Sequence, residues 1–175
     1  MSTFNCRIRM ETERPMNREK ESGYTCIRNN TICWDFNNER VLQIEADQVV
    51  VIGEYTTAEG PARDDWFITF VTTDGKWQSI SWYAENIDEL IKFLTDKFQT
   101  DFNISYLTGE VKWKSIVRFP KTLEKKQLFE VTPPTSEEIK MSLWNQIKNT
   151  LGLLPGNIKL SSEVQNEVDK QRRNS

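Results

Sequence analysis

QVVVIGEYTTAEGPARDDWFITFVTTDGKWQSISWYAENIDELIKFLTDKF, residues Gln48 to Phe98, is the stretch whose reading decides the fold. Val49-Val50-Val51-Ile52 is apolar at every position, the pattern of a strand in the middle of a sheet and covered on both faces. Residues 58–65, with Gly60-Pro61 and several charges, read as a loop. Residues 66–71 form a second strand, Asp74-Gly75 is a hairpin signal, and residues 76–82 return. Asn86 followed by Glu89 three residues on predicts a helix N-cap with a capping box. Ile87, Leu90, Ile91, Leu94 and Phe98 then recur at helical spacing and define one apolar face. Strands followed by a helix, rather than alternating with helices, point to α+β.

Working outward, two apolar runs within residues 24–36 flank Arg28-Asn29-Asn30-Thr31, a hairpin turn by composition. Val41, Leu42 and Ile44 make a further short strand. Upstream, residues 1–23 interleave acidic and basic side chains and read as a charged arm, with a short edge strand over residues 6–10. Downstream, residues 113–119 alternate Trp113, Ser115 and Val117 against Lys114, Ile116 and Arg118, a strand ended by Pro120. Residues 128–131 are expected to close the same sheet. Thr132-Pro133-Pro134-Thr135 marks a boundary. Beyond it, Ile139, Leu143, Ile147 and Leu151 form a helical stripe, ended by Gly152. A last helix starts at Ser161 or Ser162. With only Val164 and Val168 as apolar residues it is expected to bury little and to be available to a partner. The expected organisation is an arm (1–23), an α+β domain (24–131) and a C-terminal helical appendage (135–175).

Composition excludes more than it selects. A chain of 175 residues can bury roughly 70% of its unfolded surface, so a core needs no disulfide or metal to support it. No apolar run reaches the roughly 18 residues of a membrane span, and the first residues lack the apolar segment of a secretion signal, so a cytoplasmic protein is expected. The three cysteines, Cys6, Cys26 and Cys33, are an odd set without CxxC spacing and read as small buried residues. There is no histidine, which removes Ser-His and Cys-His nucleophile pairs, imidazole ligands and a near-neutral imidazole base. No glycine-rich phosphate loop or nucleophile elbow occurs. We therefore expect no catalytic residues, no cofactor and no metal.

The charge is unevenly distributed. Residues 21–110 carry 16 acidic against 6 basic side chains, while the two ends carry 10 acidic against 17 basic. An acidic centre argues against nucleic acid and suits a protein partner with a basic surface. The densest carboxylate group is Glu54, Glu59, Asp64 and Asp65, with Arg63 among them. Its spacing matches no calcium loop, so these five residues are the expected partner-binding set; the plain alternative is a solvated loop. Trp66, Trp77, Trp82 and Trp113 read mainly as core material.

Val51-Ile52-Gly53-Glu54-Tyr55-Thr56-Thr57, the Gly60-Pro61 loop, Asp64-Asp65-Trp66-Phe67, the Asp74-Gly75 turn and the strand from Trp113-Lys114-Ser115 to Pro120 together resemble small bacterial proteins of the immunity kind. Such proteins protect a cell by clamping a toxin. The resemblance spans about residues 41–129 and implies an α+β sheet and a binding function, with no active-site residue to carry over. The expected function is thus non-catalytic binding and neutralisation of a toxin or effector. Two alternatives are an adaptor docking through its C-terminal helices and a hydrolase working through Glu54 and Asp65.

Overall fold

The computed structural model describes residues 22–37, 39–57, 64–110, 112–132 and 157–174. The expected strand over residues 6–10 and the helix over residues 135–151 lie outside them. The described chain is α+β, with antiparallel strand pairing throughout its sheets.

Strands β1 (Tyr24–Arg28), β2 (Thr31–Phe36) and β3 (Glu39–Glu45) form a three-stranded meander. Asn29 and Asn30, both at positive φ (47° and 70°), make its first turn. Two successive left-handed residues match the right-handed twist of a hairpin, and Asn tolerates that region better than most residues. A 3-10 turn, Ala46–Gln48, then leads out of β3 into β4 (Val49–Thr56). The expectation of one sheet over residues 24–131 is corrected at this turn: a second sheet begins here, with order β6-β5-β4-β7. Its other strands are β5 (Trp66–Thr72), β6 (Trp77–Ser81) and β7 (Lys114–Phe119). Strand β4 pairs with β5 on one side and β7 on the other, and seven of its eight residues are buried. The all-apolar run thus has the central, doubly covered place its sequence predicts.

The two faces of this second sheet carry separate cores. On one, Ile52, Ile68, Phe70 and Ile80 meet Ile32, Leu42 and Ile44 of the meander, Phe102, and Leu90, Ile91 and Leu94 of α1 (Ile87–Phe98). On the other, Val51, Tyr55, Val71 and Val117 meet Leu128, Phe129, Val164 and Val168. Gly53 lies where β4 is crowded from outside: a Cβ there would stand 2.6 Å from the Ile116 carbonyl oxygen and 2.7 Å from a Leu128 methyl.

Three local expectations need correcting. Asn86 does not cap α1, because its backbone is left-handed (φ 63°, ψ 21°) where a side-chain cap takes extended geometry. Its amide instead donates to Glu89 Oε2 (2.7 Å) and to the Thr25 carbonyl (3.3 Å), tying the helix start to β1. Strand β8 (Phe129–Thr132) does not close the main sheet; it pairs with β9 (Asn157–Leu160) in a two-stranded ribbon. The last helix, α2 (Ser162–Asn174), buries both Val164 and Val168 completely. Two valines four residues apart share one helix face, and that face covers the core below Val51 and Val117.

Candidate functional site

Glu54 is the least expected residue of β4. It is 1% exposed, and its carboxylate accepts four hydrogen bonds: from Arg118 Nη1 (3.0 Å), Trp66 Nε1 (3.1 Å), Ser105 Oγ (3.0 Å) and the Tyr106 backbone N–H (2.9 Å). Arg118, from neighbouring β7, is 2% exposed and donates through Nη2 to the Asp101 carbonyl (2.7 Å). Its guanidinium lies over the Tyr106 ring, 4.3 Å from the centroid, and 5.5 Å from that of Phe102. An ionised pair in a core needs its remaining donors and acceptors satisfied, and here the segment from Asp101 to Tyr106 supplies the partners. Tyr106 extends the network outward, donating its hydroxyl to Glu124 Oε1 at 2.6 Å; that bond to a carboxylate, with burial, pushes its phenol upward.

The five residues expected to bind a partner therefore separate. Glu54 is withdrawn from that set, since its carboxylate is buried and every contact it makes is internal. Glu59 and Arg63 lie outside the described residues. Asp64 and Asp65 are half-buried, just before β5. Asp64 accepts from Ser22 Oγ (2.8 Å) and Asp65 from the Tyr83 hydroxyl (2.8 Å), while the Asp65 carbonyl accepts from the Thr57 N–H (2.7 Å).

Tyr83 is the residue the sequence reading missed. It follows β6, is 53% exposed, and has its hydroxyl anchored by Asp65. Partial burial, the bond to Asp65 and the charges of Asp65 and Asp64 push its phenol up to about 12. Beside it, Trp66 and Trp82 stack almost parallel, with centroids 4.1 Å apart and planes at 6°. Glu85, two residues further along, is exposed, and its backbone bonds Thr25 and Gly23; Tyr24, in register with it, is 46% exposed. The pairing explains the juxtaposition: Trp82-Tyr83 directly follows β6, and its partner β5 begins at Trp66, just after Asp65.

The surface is thus acidic and aromatic, with bonds among its own residues that hold Tyr83 and Asp65 in place. An aromatic ring fixed before binding gives contact area at little entropic cost, and fixed carboxylates attract cations. Among the described residues, no three Cys, Asp or Glu side chains gather as a metal site. An open cleft of about 630 Å³ exists elsewhere, at the far end of β5, about 20 Å along the strand. It is lined by Gln48, Thr72, Asp74, Lys76 and Gln78 among others, and its Asp74 is tied to Lys76 (2.7 Å) and Thr72 (2.6 Å). No family model, curated protein or solved structure matches the chain.

Proposed function

We propose that the protein works by binding another protein without catalysis, most concretely as an immunity-type protein that neutralises a toxin or effector with a basic surface. The observation that carries this reading is the exposed Tyr83 ring held by Asp65, with Asp64 alongside. Tyrosine at the centre of an interface commonly dominates its energy, and acidic neighbours steer a basic partner towards it. The finer features expected from the sequence, a central amphipathic helix packing the sheet and a cytoplasmic location, fit this reading: α1 has its apolar side in the core, leaving the sheet ends and loops for recognition.

The test is capture of a partner from the source cell, identification by mass spectrometry, and titration of the purified pair. Association should be with a toxic protein of basic surface and should weaken as salt rises. Asp64→Lys combined with Asp65→Lys should slow association severalfold, and Tyr83→Ala should cost about 2 kcal/mol or more of affinity. Unchanged binding by both variants would remove the reading.

The adaptor reading through the C-terminal helices draws less support, because the valines of α2 are spent on the protein's own core. A hydrolase using Glu54 and Asp65 is disfavoured by the four donors already on Glu54, which leave its carboxylate no lone pair for a substrate proton.

A further inference from the structure

Cys26 of β1 and Cys33 of β2 stand directly opposite one another in the antiparallel ladder. Opposed residues send their side chains to the same face, with Cα atoms about 4.5–5.5 Å apart, inside the roughly 4.4–6.8 Å that a disulfide bridges. Both are free thiols. Cys33 is 2% exposed, whereas Cys26 is only half-buried, so a reagent from solvent reaches Cys26 first. Arg40 Nη1 donates to Cys33 Sγ at 3.2 Å, and the same guanidinium is held by the Asp35 carboxylate (Nη2 to Oδ2, 3.2 Å). Two thiols in facing positions, one accessible and one backed by a cation, are the parts of an attacking and a resolving pair.

We propose that Cys26 and Cys33 form a thiol-modification site, a cross-strand dithiol that low-molecular-weight disulfides oxidise to an intramolecular disulfide. In the first step the Cys26 thiolate attacks one sulfur of the reagent disulfide. The reagent's S–S bond breaks, and the departing thiolate takes up the proton that Cys26 released. In the second step Cys33 loses its proton and attacks the Cys26 sulfur; the mixed disulfide breaks and a second reagent thiol leaves with that proton. The protein gives up two electrons and two protons, and the reagent is reduced to two thiols. Burial and the facing Cys26 hold the Cys33 thiol above the ordinary range, which leaves it little thiolate for a reagent in solution and confines it to the second step. There its target is already adjacent, so a small thiolate fraction suffices, and the Arg40 bond favours the anion as it forms. Closure would bolt β1, the outer strand of the meander, to β2. This site uses none of the residues of the Asp64–Tyr83 surface.

The experiment incubates the reduced full-length chain with excess oxidised glutathione, quenches with acid, blocks remaining thiols with N-ethylmaleimide and maps tryptic peptides without reduction. Arg28 lies between the two cysteines, so trypsin separates their peptides unless a disulfide joins them. The expected result is a joined peptide pair that accumulates as the maleimide-labelled forms of Cys26 and Cys33 disappear. Cys26→Ser should give no joined pair and leave Cys33 unmodified by glutathione; Cys33→Ser should stop at the glutathione adduct on Cys26. If Cys33→Ser does not fold, the wild-type map and Cys26→Ser still decide. Accumulation of the Cys26 adduct in the wild-type chain, lasting inertness of both thiols, or pairing of either with Cys6 would overturn the proposal.

Discussion

Arg118 and Glu54 meet at 3.0 Å between neighbouring strands, 64 residues apart in sequence, and neither reaches solvent. The pair joins β7 to β4 and, through its remaining bonds, draws the Asp101–Tyr106 segment onto the sheet. Removing one partner strands the other charge in the core. Arg118→Met should therefore cost about 3–5 kcal/mol in urea unfolding. Glu54→Leu combined with Arg118→Met should recover most of that loss, since an apolar pair of similar volume leaves no buried charge. A double variant no more stable than the single one would mean that the loop contacts, rather than the charges, dominate.

Gly53 tests the crowding of the same strand. Gly53→Ala pushes a methyl to within 2.6 Å of the Ile116 carbonyl oxygen, which is backbone and cannot swing aside. The expected cost is about 1–3 kcal/mol, read as a fall in the thermal midpoint with the sheet signal retained.

Tyr83 offers a pH test. Partial burial, the bond to Asp65 and the nearby carboxylates push its phenol up to about 12, against about 10 for a free tyrosine. A group whose folded value is raised adds stability that is complete below its unfolded value and lost as pH climbs through the folded one. This contribution should therefore be whole up to about pH 10 and vanish between about 10 and 12. Tyr55 and Tyr106 are also raised, so ultraviolet titration of the phenolates should show several late-ionising tyrosines, and Asp65→Asn should bring one of them, Tyr83, to lower pH.

Helix α2 is predicted to be among the well-protected segments in hydrogen exchange, because Val164 and Val168 are fully buried. Val168→Asp should release it, with protection lost first along residues 162–174 and then in β9, which precedes it. Fast exchange of α2 in the unmodified chain would contradict its packing.

What could be read from the sequence was whatever repeats locally. The run Val49-Val50-Val51-Ile52, the Asn29-Asn30 turn, the Asp74-Gly75 turn and the apolar face of α1 each announce themselves within a dozen residues. The Glu54–Arg118 pair does not, for nothing near either residue names the other; the only hint is a charge set among apolar neighbours, Glu54 late in β4 and Arg118 after Ile116-Val117 in β7. Glu54 lies close to Asp64 and Asp65 in sequence, yet β4 carries its side chain inward while they stay on the rim. Counting the apolar residues of helix α2 ignores where they point: two valines on one face suffice when a sheet waits beneath them. Asn86 misled for a third reason, since residue type suggested a cap while its left-handed backbone turned the amide towards Glu89 and β1.

The nearly parallel indoles of Trp66 and Trp82 give the candidate surface its own optical reporter. Indoles stacked at 4.1 Å couple excitonically, and the sign and size of their circular-dichroism couplet follow the in-plane twist between the two transition dipoles. Since Trp66 adjoins Asp65 in sequence and Trp82 adjoins Tyr83, whatever docks there and rotates either ring will change that couplet without any added label.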